Sequence, residues 1–336
     1  MTSDSRAIDR PISLVAPKTG YRRAPHWAAV LAAVFTWPLL FVGGLVTTFR
    51  VGMAVPDWPT TFGINMFLYD MREAAFGVFI EHGHRLYGAA VGVCTILLML
   101  DFLIFDRRRS VKALGVIALV AVIVQGLLGG LRVQNNSTLL AMIHGCTGQA
   151  YFAFVVVLAT ITGRSWFVER REPPPDFASE FLRLWILMIL GAAYLQVVIG
   201  AWLRHFSTLG VLTSHVTLGV FVVGCIALAS WLVRRRKAEL PGLMGPVRAM
   251  ELTVAIQAIL GIAATVMLWP FDGIPRDVTT PQVLIRTGHQ ANAALLLAAS
   301  AVLVLRLYGR AAGVPVVDSD EVIKPSPAPE RPEALA

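Results

Sequence analysis

Four histidines, His84, His144, His215 and His289, each stand a short way into an apolar stretch of this chain. Each is followed four residues later, one helical turn, by a small residue: Gly88, Gly148, Gly219 and Ala293. An imidazole inside a membrane span is costly and marks a functional site by default. One such histidine is as well explained as a hydrogen-bonding partner of a neighbouring helix. Four at corresponding places, two in each half of the chain, point instead to ligands, and a small residue beside each leaves room for something flat. A flat ligand with two axial positions is a haem. Zinc prefers three or four converging ligands, which pairs in separate places supply poorly. Cys94, Cys146 and Cys225 form no CxxC pair, so neither a zinc site nor a disulfide framework is expected.

The first histidine has neighbours that the others lack. Residues 81–85 read Glu81-His82-Gly83-His84-Arg85. Glu81 and His84 are three apart and share a helix face, and Arg85 is four from Glu81 and can pair with it. His82 projects about 160° from His84 on a helix, so both cannot ligate one metal. The residues three before the other histidines are Ala141, Leu212 and Arg286, none of them acidic. A carboxylate at one pocket only suggests that this pocket does chemistry, with Glu81, His84 and His144 as its working residues, while His215 and His289 hold a cofactor. The plainer alternative makes Glu81 a rim ion-pair partner of Arg85. The two propionates of a haem want cations, and Arg85, Arg132, Arg204 and Arg286 stand near the same membrane face, where they could equally be interfacial anchors. His26 and His205 are expected to be exposed.

The elements that must position these residues are membrane spans. The chain has 336 residues, 56% hydrophobic and 15% charged, with a mean hydropathy of +0.66. A soluble domain averages about 25% charged residues. Spans need about 20 apolar residues, and eight are expected, near 27–49, 82–104, 112–131, 139–162, 183–203, 210–233, 248–268 and 283–307. The net charge of +8 sits in the connecting loops, where it sets topology rather than binding nucleic acid. Arg107–Arg109 with Lys112, and Arg234–Arg236 with Lys237, crowd one side, which puts both termini in the cytoplasm and the histidines toward the outer face of the cell inner membrane. No cleavable leader is expected, because residues 1–25 are polar.

The expected fold is therefore an all-α integral membrane protein, eight transmembrane helices arranged as two four-helix bundles. Residues 1–26 form a cytoplasmic segment, 27–162 the first bundle, 163–182 a linker with Pro173–Pro175, 183–307 the second bundle, and 308–336 a disordered tail. Residues 50–80, with Pro, Trp and Phe, are expected to lie on the membrane surface as a lid. The chain also repeats itself: Gln125/Gly129, Gln196/Gly200 and Gln257/Gly261 each precede a histidine helix, and the first span keeps a glycine pair, Gly43-Gly44. Small-residue helix packing explains the glycines alone. Recurrence of the whole hairpin suggests duplication with a pseudo-twofold axis.

Taken together, VPDWPTTFG, EHGHRLYGAAVG, QGLLGGLRV, IHGCTGQ, SHVTLG and RTGHQANAALL resemble the haem A synthase family, over about residues 27–307. The resemblance implies oxidation of the C8 methyl of haem O to the formyl of haem A, by successive hydroxylations, for haem-copper oxidases. It implies His84 and His144 at the substrate haem with Glu81 as the essential carboxylate, and His215 and His289 as axial ligands of a haem b cofactor. Some members carry an outer-loop cysteine pair; this chain has no outer-loop cysteine. Lipid, a haem O synthase and an electron acceptor are the expected partners, with a homo-oligomer also possible. Two other classes fit part of the pattern. A di-haem cytochrome b-type electron carrier explains the histidines but not Glu81 or the lid, and a duplicated secondary transporter predicts no haem at all.

Overall fold

A computed structural model describes residues 21–168, 177–240, 242–268 and 278–311. Among these residues the regular elements are helices, apart from a two-stranded ribbon. The helices are α1 (Arg23–Thr48), α2 (Phe76–Phe105), α3 (Arg109–Gln134), α4 (Thr138–Thr162), the short α5 (Arg164–Val168), α6 (Phe177–Phe206), α7 (Leu209–Arg235), α8 (Met244–Met267) and α9 (Thr280–Ala311). Eight of them are long and apolar enough to cross a membrane. All eight expected spans are present, most of them extended by several residues. The chain is thus a multi-pass, all-α membrane protein, because a segment in lipid must satisfy its backbone internally and an α-helix does so.

The extension matters most at α2. It starts at Phe76, six residues before the expected start, because residues 76–80, Phe-Gly-Val-Phe-Ile, are themselves apolar and the polar cluster 81–85 interrupts an apolar run without ending the helix. His84 therefore lies as deep in its helix as the others. The four histidines lie eight, six, six and nine residues past the first residue of α2, α4, α7 and α9, or about 9–14 Å of helix. Two of the short connections that precede them are capped in the same way. Ser137 accepts a hydrogen bond from the Leu140 N–H, and Thr208 from that of Val211, each satisfying an orphan donor of the first turn. The inner linker holds α5, and α6 begins at Phe177; Pro173–Pro175 and the tail beyond Ala311 lie outside the described residues.

Helices α1–α4 close a ring in which α1 meets α2 and α4, and α3 meets α2 and α4. Helices α6–α9 make the same ring, α6 meeting α7 and α9, and α8 meeting α7 and α9. Between the rings α4 packs on α9, α1 on α9 and α6 on α4, a pattern compatible with a twofold relation. The core follows this plan. One apolar cluster fills the second ring around Ile186, Ile226 and Met250. Another fills the first around Leu98, Phe102 and Leu158. A third, with Tyr151, Val155, Ala294 and Leu297, seals the seam. Cys94, Cys146 and Cys225 are buried free thiols.

The seam is tightest where α1 crosses α9. A Cβ on Gly44 would stand 2.8 Å from Thr287 Cγ2. Across the same crossing Thr48 Oγ1 lies 3.2 Å from Thr287 Oγ1, and Arg204 donates to the Gly44 carbonyl at 2.6 Å and to the Thr48 hydroxyl. Gly44→Ala is expected to lower stability by about 1–3 kcal/mol through overpacking, read as a lower thermal midpoint in detergent. Thr287→Ser, which removes Cγ2 and keeps the hydroxyl, should restore most of it in the double variant.

Candidate functional site: two histidine pairs at one end of the bundle

The histidines come together in two pairs. His84 on α2 faces His144 on α4 with ring centroids 6.4 Å apart, and His215 on α7 faces His289 on α9 at 6.2 Å. One metal bonded to both rings would need about 6.2 Å between centroids, from two metal–nitrogen bonds of roughly 2.0 Å and about 1.1 Å from each nitrogen to its ring centre. Both pairs have that spacing. Nδ1 of His84, His215 and His289 is buried with no hydrogen-bond partner. A buried, unpaired polar atom is costly, so the rings fit a group that would use their nitrogens. Among the described residues no three His, Cys, Asp or Glu side chains converge as a metal cluster, which suits a ligand that brings its own equatorial donors.

The glycines are the seats of these rings. A Cβ on Gly43, Gly129, Gly200 or Gly261 would lie 3.0, 3.2, 2.8 and 3.0 Å from Cε1 of His84, His144, His215 and His289 respectively. Helix packing alone does not explain that: each glycine lies on the helix preceding a histidine helix, and each touches the ring of that same histidine. The glutamines one turn earlier work on the histidines too. Gln196 donates to the His215 carbonyl at 2.7 Å. Gln257 Nε2 lies 3.2 Å from His289 Nε2, while its Oε1 accepts from Asn292. In the orientation that satisfies both ends of its amide, Gln125 donates to the carbonyl and Nδ1 of His144 at 3.1 Å each, and accepts from Thr147 Oγ1 and the Gly148 N–H. The small residues one turn after the histidines divide into two kinds. Space at Gly88 is open, whereas at Gly219 a Cβ would meet Gln196 Nε2 at 3.0 Å, so there the room is taken by the glutamine and not left for a flat ligand.

The acidic group sits where the sequence places it, beside the first pair. Glu81 is 1% exposed. Its Oε1 accepts from Arg85 Nη2 at 3.0 Å and lies 3.5 Å from Arg132 Nη2, and its Oε2 accepts from the Val55 N–H at 2.9 Å. Arg85 is committed further, donating to the carbonyls of Val55, Asp57 and Thr60 at 2.8, 2.6 and 3.2 Å. The second pair differs. Among the described residues no carboxylate pairs with Arg204, which reaches α1, or with Arg286. His26 and His205, expected to be exposed, are half-buried. His26 Nδ1 lies 3.1 Å from the Ala159 carbonyl, and His205 lies within α6, whose last turns extend past the expected end of the span.

Residues 50–75 fold against α2 and α3, and their construction was not legible in the sequence. Thr60–Thr61 pairs with Ile64–Asn65 as a two-stranded ribbon. Asp57 organises it, accepting from Thr60 Oγ1, the Phe62 N–H and the Gly63 N–H at 2.5, 2.8 and 2.9 Å. Those bonds hold Phe62 at φ 52° and Gly63 at φ 77°, of which only the second is comfortable without them. Burial alone would raise the Asp57 carboxyl, but the bonds from Gly63, Thr60 and Phe62 outweigh it and bring its pKa to about 2. Trp58 lies so close to α3 that any Cβ on Gly130 would overlap its indole, and Gln134 donates to the Trp58 carbonyl at 2.9 Å.

A carboxyl held below its ordinary 3.8 stabilises the fold fully above that value, and the contribution fades as pH falls through about 2. The ribbon should therefore keep its amide hydrogen-exchange protection at pH 4. Asp57→Ala, which removes all three acceptor bonds, should lower the protection of amides 60–67 by about tenfold or more at pH 4 and above, as expected for a loss of 1.4 kcal/mol or more.

Residues 26–215 match the COX15-CtaA family of cytochrome oxidase assembly proteins. The chain is 26% identical over 170 residues to a protein named heme A synthase from Halalkalibacterium halodurans, covering 50% of this chain and 55% of that one. It is 28% identical over 189 residues to a heme A synthase from Lysinibacillus sphaericus, covering 55% and 59%. The chain thus spans a little over half the length of the curated relatives it matches. The family match takes in the first bundle, residues 50–75, α6 and the first turns of α7 as far as His215, and the chain belongs to the COX15-CtaA family of cytochrome oxidase assembly proteins.

Proposed function

We propose that this protein is a haem A synthase, which oxidises the C8 methyl of haem O to the formyl group of haem A. The observation that carries this reading is the pairing of two like histidine sites with one carboxylate. Both pairs have the spacing of a bis-histidine haem site, and among the described residues only the first has an acid, Glu81, one helical turn from a histidine of the pair and ion-paired to Arg85 and Arg132. The family membership and the printed names of the relatives support the same reading.

In this reading His84 and His144 orient the substrate, haem O, and His215 and His289 hold a haem b. When bound, haem b supplies one-electron redox chemistry. The chain's own residues do the rest. Gly43, Gly129, Gly200 and Gly261 fix the ring positions. Arg204 and Arg286, two cations without a described carboxylate partner, receive the propionates of haem b. Arg132, whose contact to Glu81 is the long one at 3.5 Å, receives a propionate of the substrate. Arg85 has both Nη atoms engaged with the cover and Glu81, so its contribution to the substrate haem is to hold that cover closed. Glu81 manages the proton released at the methyl carbon or stabilises the positive charge that develops there. The cover of residues 50–75 and the bundle interior exclude water from that position. The histidine end faces outward from the cell inner membrane and both termini are cytoplasmic, because Arg107–Arg109 and Arg234–Lys237 lie at the opposite end.

The test is haem extraction and chromatography from membranes co-expressing this chain with a haem O synthase. Wild type should accumulate haem A. His84→Ala and Glu81→Gln should each lower conversion at least a hundredfold, while haem bound by His215 and His289 remains, which shows that the variants are folded. Full conversion by Glu81→Gln would remove the carboxylate from the mechanism. Bound haem b with haem O never converted by the wild type would make the protein a di-haem electron carrier.

A further inference from the structure

His82 faces the wrong way for the pocket. It lies on the stripe of α2 that continues inward through Val93, Leu97 and Leu100, eleven, fifteen and eighteen residues on, all three exposed on the outside of the bundle. A histidine at that place would meet lipid, yet it is fully buried. What buries it is the ribbon: Thr61 Oγ1 lies 2.9 Å from His82 Nδ1, and the Tyr69 ring lies 5.1 Å from the imidazole. The ribbon therefore does not stand off the end of the bundle in water. It is folded back down the outer flank of α2 to the level of His82, six residues or about 9 Å past the start of that helix. Trp58 reaches Gly130 on α3 at a similar depth.

A segment folded down at this depth meets the bilayer, and the side chains it turns outward suit that. Phe62, Ile64, Phe67 and Leu68 are exposed, Phe67 at 67% and Leu68 at 78%. They continue into Phe76 and Phe79, the exposed first residues of a membrane-spanning helix. The ion-paired Asp70 and Arg72 follow them, exposed, on the same segment, as polar residues do at a headgroup boundary. We propose that the ribbon is a lipid anchor. Its outward face, Phe62, Ile64, Phe67 and Leu68, inserts into the headgroup–acyl boundary of the leaflet at the histidine end, and its inward face shields His82. Interfacial segments bury their apolar faces by about 5–10 Å, the depth reached here. The cover of the first pocket is thus held from both sides, by Arg85 and Glu81 within and by lipid without.

The three native cysteines are buried, so a single introduced thiol can be labelled selectively. Nitroxide-labelled Leu68→Cys in the full chain, reconstituted into phosphatidylcholine vesicles, is probed by power saturation with oxygen, which partitions into lipid, and with a nickel chelate, which stays in water. Oxygen collisions should exceed nickel collisions several-fold at position 68, as at a Val93→Cys reference, and the order should reverse at Arg72→Cys. Phe67→Cys provides a second position on the same face. Greater access to nickel than to oxygen at both 67 and 68 would put the ribbon in water and overturn the proposal. Shielding from both reagents would overturn it in favour of a protein partner or a second copy of the chain on that face.

Discussion

Everything in this molecule is arranged around one constraint: a polar group placed among membrane helices must find its partner inside the protein. The four paired histidines meet that constraint only in part. Their rings are pressed against glycines, and His144, His215 and His289 each bond a glutamine through the ring or the carbonyl, yet Nδ1 of His84, His215 and His289 is left with nothing to bond. The energetic tension of an unpaired buried nitrogen, repeated in both halves, is what a metal centre shared by the two rings of a pair would resolve. The short capped turns before α4 and α7 serve the same end, since they hold the histidines of those helices at a common level.

The two halves meet the constraint differently, and the difference is electrostatic. In the first half Arg85 and Arg132 share the buried carboxylate of Glu81. In the second, Arg204 and Arg286 have no acid among the described residues. A site with an ion-paired acid and a site with none among the described residues are not equivalent hosts for a ligand with two carboxylates, and the proposed function rests on that difference. The seam couples them physically, because the adjacent residues Gly43 and Gly44 of α1 touch, respectively, the His84 ring and the residues flanking His289.

Much of this was legible in the sequence. The spans were, because apolar length is a strong signal in a chain with so few charges. The pairs were too, because histidine is rare in such stretches and its recurrence one turn before a small residue is conspicuous. The Gln-to-Gly spacing was visible as a repeat, but its meaning was not. Whether a glycine seats a ring or merely lets two backbones approach depends on which side chain arrives from the next helix. The start of α2 was placed six residues late, since the polar cluster 81–85 interrupts the apolar run that begins at Phe76. The ribbon was hidden for a different reason. It is a two-residue pairing set by Asp57 accepting from three donors within six residues, and its seat is His82, whose outward direction could be read from the helical wheel while its cover could not. Arg85 looked like a ligand for an anion; in the folded chain its donors go to loop carbonyls that carry no sequence signature.

The central claim is that the chain builds two separate bis-histidine sites. Haem content per chain and the low-spin haem spectrum, measured on purified wild type, on His84→Ala/His144→Ala and on His215→Ala/His289→Ala after haem loading, test it most directly. The account predicts two low-spin haems in wild type and one in each double variant. Only one low-spin haem in wild type, absent from both double variants, or no low-spin haem at all, would contradict it.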